Sequence, residues 1–188
     1  MNIEMNKKNK KVIGIITIVA GLLIGGSIVG HGIINDAENE YVNVSSQIDY
    51  INTLAKERLN ILKDLEDNMK GYKSANILLE ECIKNSNKIS EKTDITSEDM
   101  NKSIDTLSDL NISVDKLLDE YDKNSELKED ELLSKKMDGL LELDYLIDDQ
   151  VKEFNTNSRK DFNESIIKFP ANIILKTKGY APVKSFKN

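Results

Sequence analysis

The chain has 188 residues and a net charge of −7, with no tryptophan, two prolines and one cysteine. Residues 1–34 carry +3, so the remaining residues carry −10. This acidic balance argues against nucleic acid as a partner, because the phosphate backbone repels a negative surface. One cysteine excludes a disulfide within the chain, and a long acidic sequence with few aromatic residues favours amphipathic helices over a sheet.

Residues 12–34 form an uncharged apolar stretch of 23 residues. A helix of that length rises about 34 Å, enough to cross the hydrocarbon core of a bilayer. Lysines precede the stretch and acidic residues follow it, and a positively charged flank of a first span stays in the cytoplasm. We therefore expect residues 1–11 to be a basic cytoplasmic lead and residues 12–34 to be a transmembrane anchor. A cleaved signal peptide is the alternative, but the apolar region is too long for one.

A heptad seam begins after the anchor. Apolar residues recur at alternating steps of three and four over residues 41–83, which predicts one long helix over residues 36–90. Arg58 and Asn76 interrupt this seam. A polar seam residue either sets the register of packed helices or points outward, and the sequence leaves both readings open.

A second helix is predicted over residues 98–122. Residues 96–99, TSED, place hydroxyl groups and carboxylates where helix starts favour them. Its seam includes one amide side chain, that of Asn111. Residues 122–125, DKNS, predict the next break.

A third helix is predicted over residues 126–169. Gly139 weakens it and could split it, Asp144 lies in its seam, and the seam shifts register between Ser158 and Phe162. Pro170 ends it, because the residue before a proline is pushed out of the helical region.

These helices cannot bury their apolar stripes singly. We therefore expect an all-α fold, with a single N-terminal transmembrane helix followed by an elongated antiparallel bundle of long helices over residues 35–170. Residues 171–188 form a basic, apolar C-terminal tail with four lysines and no acidic residue. The tail lies far from the membrane if three helices follow the anchor and returns to it if there are four.

Aromatic and asparagine residues are paired near the C-terminus. Phe154-Asn155 and Phe162-Asn163 lead into Phe169-Pro170-Ala171-Asn172 and then Gly179-Tyr180, and Arg58 precedes Lys70-Gly71-Tyr72 upstream. This arrangement resembles the LemA family, whose layout also includes an N-terminal span. The resemblance implies an all-helical bundle behind one membrane anchor and no catalytic residues.

The tail region supplies the candidate partner-binding residues, which are Phe169, Pro170, Asn172, Gly179 and Tyr180. The Phe169-Pro170 hinge can turn the tail back over the bundle. A basic apolar segment can then contact anionic lipid, the acidic bundle or a partner, and the sequence leaves the three open. Spaced eight residues apart, Asn155 and Asn163 could satisfy neighbouring backbone groups.

Catalytic and metal-binding patterns are missing from the sequence. The single histidine, His31, falls in the predicted span, so a His/Cys metal site or a Cys-His nucleophile pair is not available. Carboxylate clusters such as Asp148-Asp149 are typical of solvated helix faces. We expect no enzyme activity, no metal and no cofactor, and a metal-dependent hydrolase is the least favoured hypothesis.

The sequence therefore predicts a membrane-anchored helical scaffold or adaptor of the LemA type, with its bundle outside the cell membrane. Its expected partners are the bilayer, through residues 12–34, and a protein of the membrane or envelope. The alternative is a self-assembling structural membrane protein of the cell envelope, present as a homo-oligomer. In the first hypothesis the anchor raises local concentration and the bundle offers a docking groove or end.

Overall fold

The structure, a computed structural model, describes the backbone of residues 7–89, 96–169 and 171–187, with side chains from Gly30 onward. All regular structure in these ranges is helical. The elements are α1 (Lys7–Met69), α2 (Lys73–Ser86), α3 (Ser97–Lys123), α4 (Ser125–Glu129), α5 (Glu131–Glu153), a π-helix (Phe154–Ser158), α6 (Arg159–Ile166) and α7 (Ala171–Thr177).

The predicted lead and most of the predicted span, residues 1–29, lie outside the residues whose side chains are described. Among the described residues, no helix combines the length and the apolar character needed to cross a membrane. The anchor stays a prediction.

The seam of α1 is buried as predicted. Its members with no exposed surface are Val44, Ile48, Ile51, Ala55, Arg58, Leu62, Leu65 and Met69. Because these residues repeat at heptad spacing, one face of α1 is available along its length for the other helices to pack against.

The prediction that this helix continues to residue 90 is wrong. It ends at Met69, and the chain turns through residues 70–72 before α2 begins. Gly71, which has the lowest helix propensity apart from proline, lies in this turn. The turn changes the register in part, since Leu79 of the predicted seam is buried, but Ala75 and Cys82 are buried where the seam had Asn76 and Ile83, which are half-buried.

The predicted second helix is confirmed within one residue at each end. At its start, Asp99 N donates to Thr96 Oγ1 at 3.2 Å, and Thr96 N donates to Asp99 Oδ2 at 3.3 Å, which is a capping box. The predicted break after it falls at Asn124, whose side chain accepts hydrogen bonds from the backbone amides of Glu126 and Leu127 in α4.

The predicted third helix is divided, but not at Gly139, which lies inside α5. The breaks lie at Asp130, which caps α5, and at the π-helix. A π-helix inserts one residue, so Phe154, Ser158 and Phe162 are all buried at successive steps of four. This insertion is the cause of the predicted shift in register.

The C-terminal end of this helix also differs from the prediction. α6 ends at Ile166, and Phe169 is 74% exposed instead of continuing the buried face. Pro170, the predicted helix terminator, lies outside the described residues.

Side-chain contacts show the direction of each helix. Lys136 Nζ donates to Asn68 Oδ1 at 2.7 Å, and the Phe162 ring lies 5.8 Å from the Tyr41 ring, so the α5–α6 segment runs antiparallel to α1. The chain therefore returns to the level of Tyr41, where the predicted span meets the bundle.

α2 and α3 complete the bundle. Ser74 contacts Glu120 at one end of α2 and Asn85 contacts Ser113 at the other, so α2 runs antiparallel to α3 and reaches only half way along it. Residues 97–108 of α3 lie beyond the end of α2 and pack against the C-terminal tail instead. The prediction of an all-helical bundle is thus confirmed, and in the described residues the chain makes four helical passes after the predicted anchor before the tail returns to α3.

Candidate functional site

A charged side chain lies at the centre of the bundle. Arg58 of α1 has no exposed surface. Its Nη1 donates to Asp144 Oδ1 of α5 at 2.7 Å, and its Nη2 donates to Asn111 Oδ1 of α3 at 2.6 Å. Three of the polar seam residues, one from each predicted helix, therefore meet in one cluster, and Arg58 points into the bundle and not outward.

Burial works against the ionised form of both members of the ion pair. It raises the pKa of Asp144 to about 6, which Arg58 opposes and which Asp148 and Asp115 reinforce. Burial likewise lowers the pKa of Arg58, against the pull of Asp144. The pair is ionised at neutral pH, because an Asp144 pKa near 6 lies below 7 and a guanidinium remains protonated. Arg58 Nε has no acceptor among the described residues.

A cleft of about 480 Å³ opens beside this cluster. Asn111 belongs to both, and the charged residues that line the cleft are two aspartates, Asp115 and Asp148, and two lysines, Lys152 and Lys187. Among the described residues, no group of three or more His, Cys, Asp or Glu side chains could hold a metal ion.

The cysteine of the chain packs near the cluster. Cys82 has no exposed surface, and burial raises the pKa of its thiol to about 12. The thiol is protonated at neutral pH and shielded from solvent, so it behaves as a small apolar core residue.

Two of the predicted partner-binding residues, Asn172 and Tyr180, line one surface cleft, whereas Pro170 lies outside the described residues. Gly179 has φ +83° and ends α7 with a Schellman motif, in which Tyr180 N donates to Leu175 O at 3.0 Å. This turn stacks the Tyr180 ring on Tyr41 at 4.3 Å. Asn172 is exposed on α7. The role of these residues in partner binding stays a prediction.

The C-terminal tail lies in a groove that the sequence did not predict, which holds residues 181–187 between α3 and the segment formed by the π-helix and α6. We call it the tail groove. Asn163 binds both backbone groups of Val183, accepting from N at 2.8 Å and donating to O at 2.9 Å. Asn155 binds Phe186 in the same way, at 2.9 and 3.3 Å. The expectation that these asparagines satisfy neighbouring backbone is confirmed.

The opposite wall of the tail groove is α3. Asn101 accepts from Lys184 N at 2.7 Å and donates to Pro182 O at 3.2 Å. The hydroxyls of Ser97 and Ser108 accept from the backbone amides of residues 181 and 187. Five side chains thus hold the backbone of the tail along its length.

Tail lysines pair with acids of the bundle. Lys184 Nζ lies 2.7 Å from Asp105 Oδ2, and Lys178 pairs with Glu38 of α1. Of the three contacts that the sequence left open for the tail, the structure contains the one with the acidic bundle.

A family model of the LemA family matches residues 47–188, which include the buried cluster and the tail groove. The chain belongs to the LemA family. No curated protein matched it, and no solved structure did. In this LemA protein, the two aromatic-asparagine pairs have divided roles, since Phe154 and Phe162 are buried in the bundle while Asn155 and Asn163 hold the tail.

Replacing Arg58 by methionine should lower the free energy of unfolding by about 3–5 kcal/mol, because Asp144 is then a buried carboxylate with no cation. Arg58→Met/Asp144→Leu should recover most of this loss, since an apolar pair has no charge to desolvate. Chemical denaturation followed by circular dichroism measures both. Arg159→Met, which replaces the other arginine of the chain at a half-buried position, is the control and should cost less than about 1 kcal/mol. An Arg58→Met loss no larger than the control's would contradict the assignment.

Asp144 should make stability depend on pH. Its carboxyl titrates near 6 when folded and near 4 when unfolded, so between these values the folded state holds a proton that the unfolded state has lost. The stabilising contribution of this proton is complete below about pH 4 and is lost as the pH rises through 6, which amounts to about 3 kcal/mol. Denaturation at pH 4, 5, 6 and 7 should show this slope in the wild type and in Asp138→Asn, an exposed control on α5. The slope should be smaller in Asp144→Asn, in which Asp49 and Asp115, whose pKa values burial also raises, still contribute. Equal slopes for all three proteins would exclude Asp144 as its source.

Proposed function

We propose that this LemA protein is a membrane-anchored helical scaffold that holds its bundle outside the cell membrane for a protein partner. The observation that carries the proposal is the uncharged stretch of residues 12–34, which leads directly into the bundle. α1 has a continuous helical backbone from Lys7 to Met69, so the predicted span and the central helix of the bundle share one helix with no linker between them. Motion of the anchor in the bilayer therefore carries the bundle with it.

An exposed apolar patch supports the same arrangement. Ile167, Phe169 and Ile173 are 66, 74 and 58% exposed, next to the exposed Lys168 and Lys176. Apolar side chains interspersed with lysines are typical of surfaces that rest on anionic lipid headgroups.

The position of this patch fits contact with the bilayer. The tail lies against α1 at Glu38 and Tyr41, a few residues after the predicted span ends. The patch and the anchor are then at the same end of the bundle, and the opposite end, near the α1–α2 turn, projects away from the membrane. Tethering of this kind raises the local concentration of the bundle for partners in the envelope.

Introducing charge into the span tests the anchor. Leu23→Lys/Ile24→Lys should move the full chain from the carbonate-washed membrane fraction into the soluble fraction, because each lysine at the centre of a span costs about 3 kcal/mol. Leu23→Ala/Ile24→Ala is the matched control and should stay in the membrane. Full retention of the lysine variant, or release of the wild type, would refute the anchor.

The orientation is tested in the same cells. Tyr145 is 79% exposed on the bundle, so Cys82→Ala/Tyr145→Cys offers one accessible thiol. A membrane-impermeant maleimide should label it in intact cells, whereas Cys82→Ala/Lys8→Cys, with its thiol in the lead, should be labelled only after lysis. The reverse pattern would place the bundle in the cytoplasm.

A further inference from the structure

The backbone of the tail is held entirely by side chains. In the described part of the chain, no backbone–backbone hydrogen bond joins residues 181–187 to a helix. Asn101, Asn155 and Asn163 each bind both a backbone N–H and a backbone C=O of the tail. A side-chain amide that pairs in this way offers the backbone one donor and one acceptor, as a neighbouring β-strand does. It therefore binds an extended peptide whatever the sequence of that peptide.

The tail is nearly extended in this groove. Its amides at residues 181 and 187 contact Ser97 and Ser108, which are eleven residues apart on α3. Eleven helical residues rise about 16 Å, so the six steps of the tail advance nearly 3 Å each. Val183 and Phe186, three residues apart, both face the groove, and this is the side-chain period of an extended chain of the polyproline II type.

Two apolar residues give the groove its selectivity. Val183 and Phe186 are 2% and 3% exposed, and the Phe186 ring meets the ring of Phe154 edge to face at 5.1 Å. A lysine follows each of them, and Asp105 lies within 2.7 Å of Lys184 Nζ and within 4.0 Å of Lys187 Nζ. The groove therefore fits an apolar–Lys–X–apolar–Lys sequence.

Departure of the tail breaks no backbone hydrogen bond of a described helix, although it uncovers Phe154, on which Phe186 packs. The backbone bonds of α3 and α6 lie within those helices, and the tail connects to α7 through Gly179, whose positive φ places the turn at a residue of high conformational freedom. One wall is the π-helix that carries Asn155, and single-turn π-helices are frequent at functional sites.

We infer that the tail groove is a binding site for extended peptides with an apolar–Lys–X–apolar–Lys pattern, and that the chain's own tail occupies it as a displaceable plug. The occupant we assign is a segment of a partner protein with this pattern. For its biological role the inference rests on the proposed scaffold function, in which a partner docks on the bundle. Peptide binding and membrane retention are measured separately, so either proposal can fail alone.

The test frees the groove in the full chain and offers it the wild-type tail as a peptide. Val183→Ala/Phe186→Ala should bind a fluorescent peptide of residues 178–188, measured by anisotropy, at least tenfold more tightly than the wild type. The wild type binds weakly because its own tail competes at an effective concentration in the millimolar range. A peptide with alanine in place of the valine and the phenylalanine should not bind.

Groove variants provide the matched controls. In the Val183→Ala/Phe186→Ala background, Asn155→Ala should abolish peptide binding, whereas Asn157→Ala should not, because Asn157 lies on the same π-helix but bonds to Glu153. Lys184→Glu/Lys187→Glu loosens the tail without changing its apolar residues, because Asp105 then repels the two glutamates. This variant should also bind the peptide, and it replaces the apolar variant if that protein fails to fold.

A loosened variant with wild-type helix content that binds no peptide would overturn the inference. So would equal binding of the alanine peptide, or formation of tail-exchanged dimers whose grooves take up no peptide.

Discussion

A guanidinium with no exposed surface lies between three helices of this protein, and the alignment of the bundle depends on it. Arg58 reaches Asp144 on α5 and Asn111 on α3, and each contact is broken if its helix slides along α1 by one turn, about 5.4 Å. The apolar heptads around the cluster repeat, so they would pack almost as well after such a shift. The buried charge adds little to stability after its desolvation, and its contribution is to make one register much better than its neighbours.

The features at the end of the bundle that holds the tail groove follow from that register. With α5 aligned by Asp144, the extra residue of the π-helix places Phe154 in the core and Asn155 toward the tail, and Phe162 and Asn163 repeat this division in α6. Because α2 stops beside Ser113, no helix among the described residues continues it along residues 97–108 of α3, and the tail packs there. The tail groove thus results from a short helix and a shifted register.

The helices were largely predictable from residue spacing, because heptad periodicity and capping residues are local signals. Capping residues predicted the helix start at Thr96, where a capping box forms, and the break at Asn124. The turn at Gly71 was missed because a single glycine is compatible with a continuous helix. The packing of α2 against its neighbours favours the turn, and the local sequence does not show this packing. Arg58, Asn111 and Asp144 each interrupted a seam, but pairing them requires the relative heights of three helices, which no local pattern supplies. The aromatic-asparagine pairs signalled that these asparagines bind a backbone, but they did not identify the segment that is bound.

The register is tested most directly by measuring a distance between α1 and α5. Spin labels on Lys56→Cys and Tyr145→Cys, in a Cys82→Ala background, report this distance by double electron–electron resonance, since both sites are exposed. The wild-type cluster should give one narrow distance distribution. The same labels in Arg58→Met/Asp144→Leu should give a broadened or multiple distribution, although that protein remains folded. An equally narrow and unshifted distribution in the apolar variant would contradict the account, because the heptad seams alone would then set the register.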